Sequence, residues 1–223
     1  INSTVLQLKS IKEQIIDMGN TQMNGVYIFG GTDNQKKPFV VQTGDITAGS
    51  NVVSNMSSVA NLEVGMAMSG AGIPDGATIT AVDSVAGTIT LDKVATVTAS
   101  GRDINIFTGN TSEIDVEINQ GVKQAVNISG KYLLMADSTN NTYGSVDILK
   151  TIDQLIIDVK NSSASGLQAG KLKLYDAGVQ LNTAQSDLQT RTLRMESASQ
   201  MNKTIIDTLS NVYGNVQDID YAK

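Results

Sequence analysis

Apolar residues in the first nineteen positions recur with helical spacing. Steps of three and four residues place them on one face of a helix. The positions that set this pattern are Ile1, Leu8, Ile11, Ile15 and Met18. The spacing predicts an amphipathic helix over residues 1–19, ending at a C-cap formed by Gly19 and Asn20.

Between Lys36 and Asn127 the apolar period shortens to two residues, and Gly, Asn, Asp and Ser interrupt it every 8–12 residues or so. This pattern predicts short antiparallel strands. One hairpin is particularly clear, because apolar residues alternate with acidic ones over 114–118, before a three-residue turn at 119–121. We expect the apolar side chains of this hairpin to face a core.

Helical spacing returns after Gly144. It predicts a helix over 146–159 with Ser145 as its N-cap, ended by residues 161–166. A last helix of about 40 residues, a rod of roughly 60 Å, follows with six heptads and no Pro, so it requires partners along its length. Its two seam positions hold Leu174, Leu181, Leu188, Met195, Asn202 and Leu209, and Ala177, Ala184, Arg191, Ala198, Ile205 and Val212.

Helices at both ends with strands between them predict an α+β fold. We expect a discontinuous antiparallel helical rod with an inserted all-β outer region. The predicted rod covers 1–34 and 144–223, and the β-rich outer domain covers 35–143. A further β module is expected as an insertion at about 44–107.

Composition narrows the function. The 223 residues include no His, Cys or Trp, which removes thiol nucleophiles, His-based acid–base pairs, thiolate zinc sites and disulfides. A net charge of −6 disfavours a nucleic-acid surface, and no apolar run approaches the ~20 residues of a membrane span. We therefore expect no enzyme, no metal, no cofactor, and neither nucleic acid nor membrane as a partner.

Three polar groups allow two interpretations each. Glu113, Asp115 and Glu117 alternate along one strand face, where they could bind Ca²⁺, but a solvated face is favoured. Arg191 and Asn202 occupy seam positions, where they either fix the register of the helix or contact water. The acidic pair Asp218 and Asp220 is expected to lie on a surface rather than in a catalytic pocket.

Two motifs lie near the ends of the chain. Their residues are Asn20, Gly25, Tyr27, Phe29, Gly30 and Gly31, and Asp218, Asp220, Tyr221 and Ala222. With the hairpin region 112–133 and the helix at 149–159 between them, these segments resemble, in order, the type 3 flagellar hook-associated proteins, the hook–filament junction proteins of the flagellin superfamily. The first motif is similar to the segment where the family's N-terminal rod helix gives way to its outer domain, and the last to the acidic motif before its C-terminal inner helix.

The resemblance implies a structural subunit of the bacterial flagellum, exported by the flagellar secretion apparatus and extracellular. Its implied partners are other copies in a tubular assembly, the first hook-associated protein on the hook side and flagellin on the filament side. A flagellar export chaperone, acting through a missing C-terminus, is also implied. Because the chain begins at Ile1 rather than Met, we expect a fragment that lacks the terminal inner-core helices.

Two alternatives stay open at this point. The chain could be flagellin, the filament subunit itself. It could also be a secreted adhesin whose surface-binding module is residues 44–107, a segment that resembles small β modules of bacterial surface and phage tail proteins.

Overall fold

The computed structural model describes residues 1–139 and 141–220, with backbone alone for 217–220. It combines helices with antiparallel strands, so the predicted α+β class is confirmed at that level. The helices of the described residues are α1 (Asn2–Gly19), α2 (Gly130–Leu134), α3 (Ile148–Lys160) and α4 (Ala164–Asp220).

Helix α1 has the predicted bounds and ends at Asn20. Its buried face agrees with the predicted one only in part, because Leu8 and Ile15 pack against the core with Val5 and Lys12 while Ile11 and Met18 are exposed. The helix is turned so that Lys12 reaches buried carboxylates, and Leu8 and Ile15 are only partly covered.

Two short strands follow α1. Strands β1 (Gln22–Met23) and β2 (Val26–Tyr27) form an antiparallel pair in which Gln22 lies opposite Tyr27. The turn between them is Asn24-Gly25, both with positive φ (52° and 82°). Asn-Gly suits this tight turn because both residues tolerate the left-handed region.

Six strands of the middle region close into an antiparallel barrel in the order β3-β4-β7-β6-β5-β8. Alternating β-branched residues of these strands point inward, and Ile46, Ile79, Ile89 and Ile104 are buried in the barrel core. The strands are β3 (Phe39–Ile46), β4 (Val52–Ser54), β5 (Ala67–Ser69), β6 (Ala77–Asp83), β7 (Thr88–Leu91) and β8 (Ala99–Phe107).

The barrel begins earlier than the predicted module. Strand β3 pairs with β8 from Phe39 opposite Phe107, so the closed unit runs over 39–107 rather than 44–107. Gly44, where the predicted module begins, lies at a bulge within β3, and the register shifts there between Gly44 and Ile46.

The predicted hairpin is present as β9 (Asp115–Asn119) and β10 (Val122–Ala125). Asn119 pairs with Val122, which leaves a two-residue turn instead of the predicted three. The expected burial is wrong, because Val116 is 46% and Val122 is 50% exposed. A two-stranded sheet offers no second layer to cover this face.

The last two helices differ from prediction at their starts. Asp147, not Ser145, caps α3, because its carboxylate Oδ1 accepts a hydrogen bond from the Lys150 amide at 2.8 Å. Helix α4 begins at Ala164, so the connection after α3 is shorter than predicted, and it extends over 57 residues instead of about 40.

Helices α1, α3 and the start of α4 share one apolar cluster of Val5, Ile148, Ile152, Ile156 and Ala177. Close approach of α3 and α4 depends on glycine. A Cβ at Gly170 would overlap the side chain of Leu155, and one at Gly166 would overlap the carboxylate of Asp158. Here glycine allows two backbones to pack at short distance.

The chain divides into two compact units that differ from the predicted domains. One contains residues 1–113 and 127–184, and the other contains 114–126 and the chain from Gln185 onward. The predicted boundaries near 34 and 143 therefore lie inside the first unit, because α1, α3 and the barrel pack against each other there.

Candidate functional site

The N-terminal motif residues lie where the helices join the barrel. Asn20, the C-cap of α1, holds the first residue of β3 by its backbone. The Asn20 Nδ2 donates to the Phe39 carbonyl at 2.9 Å, and the Phe39 amide donates to Asn20 Oδ1 at 2.9 Å. This two-point contact fixes the entry of the chain into the barrel.

The Phe39 ring fills the space between the helices and the barrel. It contacts the Phe107 ring with centroids 5.2 Å apart, in a buried cluster with Met135 and Leu149. A Cβ at Gly19 would lie 2.7 Å from Phe39 Cδ2, and one at Gly130 would lie 2.6 Å from Cε2. Both glycines are therefore required by the closeness of the ring.

Gly30 and Gly31 pack against the backbone that leaves the barrel. Gly31 has a φ of 71°, and a Cβ on it would overlap Asn110. The Asn110 amide donates to the Gly30 carbonyl at 3.0 Å, and Asn110 Oδ1 accepts from the Thr32 amide at 2.9 Å. The incoming and outgoing chains are thus bonded side by side.

The other motif residues have backbone roles. Gly25 forms the β1–β2 turn, with open space around its Cα. The Tyr27 amide donates to the Asn34 carbonyl at 2.8 Å, and the Phe29 carbonyl accepts from the Gly130 amide at 2.8 Å. The acidic motif at the other end, Asp218 and Asp220 with Tyr221 and Ala222, lies outside the residues whose side chains the structure describes.

A buried ionic network connects α1, α3 and β8. The Lys12 ammonium, on a residue only 3% exposed, pairs with Asp103 at 2.9 Å and Asp153 at 2.5 Å. Asn105 Nδ2 donates to the second oxygen of Asp153 at 2.7 Å. Burial raises the pKa of Asp153, and the Lys12 charge opposes this increase. A buried pair of this kind adds little net stability but is costly to break.

Asp147 lies close to this network. Burial raises the pKa of its carboxyl to about 7, against the Lys150 amide and ammonium, which lower it. The hydrogen bond from the Lys150 amide favours the charged form of this carboxyl, so protonation weakens the cap contact. The start of α3 is therefore sensitive to pH near neutrality.

Gln180 fixes α4 to the chain that precedes α3. Its side chain is 1% exposed and satisfied at both ends. Oε1 accepts from the Val146 amide at 2.9 Å, while Nε2 donates to the Leu133 carbonyl at 2.8 Å and the Val146 carbonyl at 3.0 Å. The amide thus sets the position of α4 along its axis.

The predicted seam of α4 divides into a covered and an exposed position. Ala177 and Ala184 are buried, whereas Leu181 and Leu188 are 42% and 37% exposed. The leucines of the seam are thus accessible to a partner, and their role in a helix–helix contact stays a prediction. The other predicted seam residues are also at least partly accessible: Leu174, Arg191, Met195, Ala198, Asn202, Ile205, Leu209 and Val212.

The two polar seam residues differ. Arg191 is largely covered, with its Nε 2.8 Å from an Asp187 oxygen and its NH1 donating to the Ala125 carbonyl at 3.4 Å. Asn202 is exposed, which agrees with contact to water. Of these two residues, only Arg191 therefore has contacts that could fix the register of the helix.

Large apolar side chains continue on the surface of α4 beyond the seam. Soluble monomers rarely expose long apolar runs, and such surfaces mark sites of protein contact. The exposed members on α4 are Leu167, Leu172, Leu174, Tyr175, Val179, Leu181, Leu188, Leu193, Met201, Ile205, Ile206, Leu209, Val212, Tyr213 and Val216.

The predicted alternative of a calcium site on the hairpin finds no further ligands among the described residues. Glu113, Asp115 and Glu117 are exposed, and no cluster of three or more metal-ligating side chains occurs among the residues whose side chains the structure describes, 1–139 and 141–216. No helix of that part of the chain has the length and hydropathy of a membrane-spanning segment.

Three structurally important residues were missed from the sequence: Lys12, Asn110 and Gln180. Lys12 had a signal, because it lies four residues after Leu8 and three before Ile15, on the covered side of α1. Asn110 and Gln180 had none, since their partners are 78 and 34 residues away.

Comparison with known proteins gives two structural similarities. No protein-family model and no curated protein matches the chain. The chain is similar to flagellar hook-associated protein 3 of Legionella pneumophila, with a TM-score of 0.42 and 11% identity over 97% of this chain and 81% of that one. It is also similar to FlgL of Xanthomonas campestris, with a TM-score of 0.30 and 10% identity over 96% and 81%. Both TM-scores are too low to establish a shared fold.

Proposed function

We propose that this chain is a structural subunit of the bacterial flagellum, the junction between the hook-associated ring and the flagellin filament. The observation that carries this proposal is the exposed apolar surface of α4, which continues from Leu167 to Val216. A helix with such a surface requires protein partners along its length.

The motif residues support the flagellar assignment. Asn20, Phe29, Gly30 and Gly31 do not form a pocket with reactive groups; they hold the passage from α1 into the barrel. A rigid passage of this kind suits a subunit that stacks through its helices and carries its barrel as a fixed outer domain. The finer architecture, a discontinuous antiparallel helical rod with an inserted β region, is part of the proposal.

The proposed partners are those that the resemblance implies. Further copies form a tubular assembly through the α4 surface, with the first hook-associated protein on the hook side and flagellin on the filament side. The proposed location is the extracellular flagellum after export, and the role is mechanical rather than enzymatic.

Deletion of the gene distinguishes this function from its alternatives. Without a junction protein, cells lose filaments and flagellin accumulates in the culture medium, which an anti-flagellin immunoblot detects. If the chain is flagellin, no flagellin is found in cells or medium. If it is an adhesin, filaments and motility persist, and the proposal is wrong.

A point variant tests the α4 surface in the full-length protein. Leu188→Ala removes an exposed side chain, so its free energy of unfolding should change by less than about 1 kcal/mol. We nevertheless expect reduced motility and flagellin in the medium, because the contact to a neighbouring subunit is weakened. Gln189→Ala, the adjacent exposed position, is the control. Normal motility of Leu188→Ala would place the interface elsewhere.

A further inference from the structure

A small polar pocket lies between α1, α3 and the end of the barrel at β8. Its volume is about 100 Å³. The charged residues that line it are Lys9, Arg102, Asp103, Asp153 and Lys160. It is separate from the motif residues and from the exposed surface of α4, and the proposed function does not require it.

Both carboxylates of the pocket are already engaged. Lys12, directly beneath them, pairs with Asp103 and with Asp153, and Asp153 also accepts from Asn105. Their capacity to neutralise additional cations is therefore largely used by a lysine that cannot reach solvent.

The three remaining cations of the pocket have no acidic partner in the part of the chain that the structure describes. Among the described residues, none of Lys9, Arg102 and Lys160 has a carboxylate within ion-pair distance. With Lys12 included, four cations face two carboxylates, a formal charge of +2 on a chain of net charge −6. The local field is opposite in sign to that of the whole protein.

Arg102 supplies the most specific signal. Its Nε is enclosed and has no hydrogen-bond partner in the described residues. Because Nε is closed off from the pocket, contact with an anion there would come from the terminal nitrogens of the guanidinium. A planar guanidinium matches the geometry of carboxylate and phosphate oxygens, to which it can donate two parallel hydrogen bonds.

We propose that this pocket binds a small oxyanion. Arg102 would donate to two of its oxygens, while the flexible ammonium groups of Lys9 and Lys160 close over it from α1 and α3. The oxyanion is either a free phosphate-like ion or a carboxylate presented by another protein. In both cases binding would tie α1, α3 and β8 together through a shared negative charge.

The test is a titration of the ¹⁵N-labelled chain with sodium phosphate, with sodium chloride adjusted to hold the ionic strength constant. We expect saturable shifts in the amide resonances of Gly101, Arg102 and Lys160. Arg102→Gln should weaken binding at least about tenfold, since a bidentate charged contact is lost. Lys171→Gln, which removes an exposed charge outside the pocket lining, should leave binding unchanged.

A second variant protects the test against misfolding. If Arg102→Gln does not give a native spectrum, Lys9→Gln replaces it, because Lys9 is exposed and its loss should reduce affinity about threefold without affecting the fold. Repeating the titration with acetate separates the two sources: tighter acetate binding favours a protein carboxylate, and tighter phosphate binding a free ion. Absence of saturable shifts with both anions, or unchanged affinity in folded pocket variants, would overturn the proposal.

Discussion

Gly130, the first residue of α2, packs directly against the Phe39 ring of the barrel. A Cβ at this position would lie 2.6 and 2.7 Å from two atoms of the Phe39 ring and 3.1 Å from Phe29 Cβ. The ring cannot move aside, because Gly19 and Phe107 confine it from other directions. A single methyl group at Gly130 therefore tests the joint between helices and barrel.

We expect Gly130→Ala to lower the free energy of unfolding by about 1–3 kcal/mol, the usual cost of overpacking. Gly178→Ala is the matched control, since no atom lies within 4 Å of the Cβ position there. In the interior of α4 it should stabilise the chain by about 0.5–1 kcal/mol through higher helix propensity. Urea denaturation measures both, and equal effects would contradict the observed packing.

Asp147 makes stability depend on pH near neutrality. Its pKa is raised from an ordinary 3.8 to about 7, so the folded chain keeps this proton over a range where the unfolded chain has released it. The unfolded state then binds fewer protons, and the free energy of unfolding falls as the pH rises from about 4 to about 7. Above the folded pKa the contribution no longer changes.

We expect this loss to reach at most about 1.4 kcal/mol per pH unit for the single group. Asp147→Asn keeps a side chain that caps helices well and removes the titration. Its stability should therefore fall less than that of the unaltered chain between about pH 5 and pH 7. Denaturation curves at several pH values check the prediction, and parallel profiles for the two proteins would refute it.

At the scale of elements, α4 packs through small and polar residues rather than through leucine. Gly170, Ala177, Gln180 and Ala184 form its buried face. Small side chains allow close packing, and the one large polar member is fully hydrogen-bonded. The position of α4 along its axis thus depends on a single amide.

We expect Gln180→Ala to destabilise the chain by about 2–4 kcal/mol, because partly buried backbone groups of Val146 and Leu133 lose their partners. Gln189→Ala, an exposed glutamine on the same helix, should change stability by no more than about 0.5 kcal/mol. Thermal unfolding followed by circular dichroism compares them. If both variants unfold at the same temperature, the Gln180 contacts do not contribute to stability.

At the scale of the whole molecule, the barrel cannot be separated cleanly at 44–107. That segment contains Asp103 and Asn105 of the ionic network and the Phe107 ring that packs on Phe39. Removing it would leave buried groups of α1 and α3 without partners. A cut between Thr43 and Asp103, which are paired across β3 and β8, preserves all three contacts.

We therefore expect two deletions, each closed by a short Gly-Ser bridge, to behave differently. Deletion of 44–102 should retain a cooperative helical transition, whereas deletion of 44–107 should lose about 3 kcal/mol or more relative to it. Circular dichroism at 222 nm during heating measures the difference. Equal unfolding temperatures for the two deletions would mean that residues 103–107 of the barrel do not stabilise the helices.

The sequence by itself determined the elements whose signals are local. The 3- and 4-residue steps of α1 and α3 and the hairpin at 115–125 depend on neighbours within a few residues, so their positions were predictable. Periodicity also identified α4 as one long helix, because no Pro interrupts it. The contacts by which Asn20 holds Phe39 and Gly30 holds Asn110 were not predictable, because each joins residues far apart in the sequence.

Only the tertiary structure decided which faces are covered. Apolar spacing shows that a helix has an apolar face, but not whether that face packs against its own chain or against a partner. For this reason Leu181 and Leu188 lie exposed at predicted seam positions, while the charged residue Lys12 lies buried. The cost of burying Lys12 is offset by carboxylates 91 and 141 residues away, and contacts of that separation leave no trace in a local pattern.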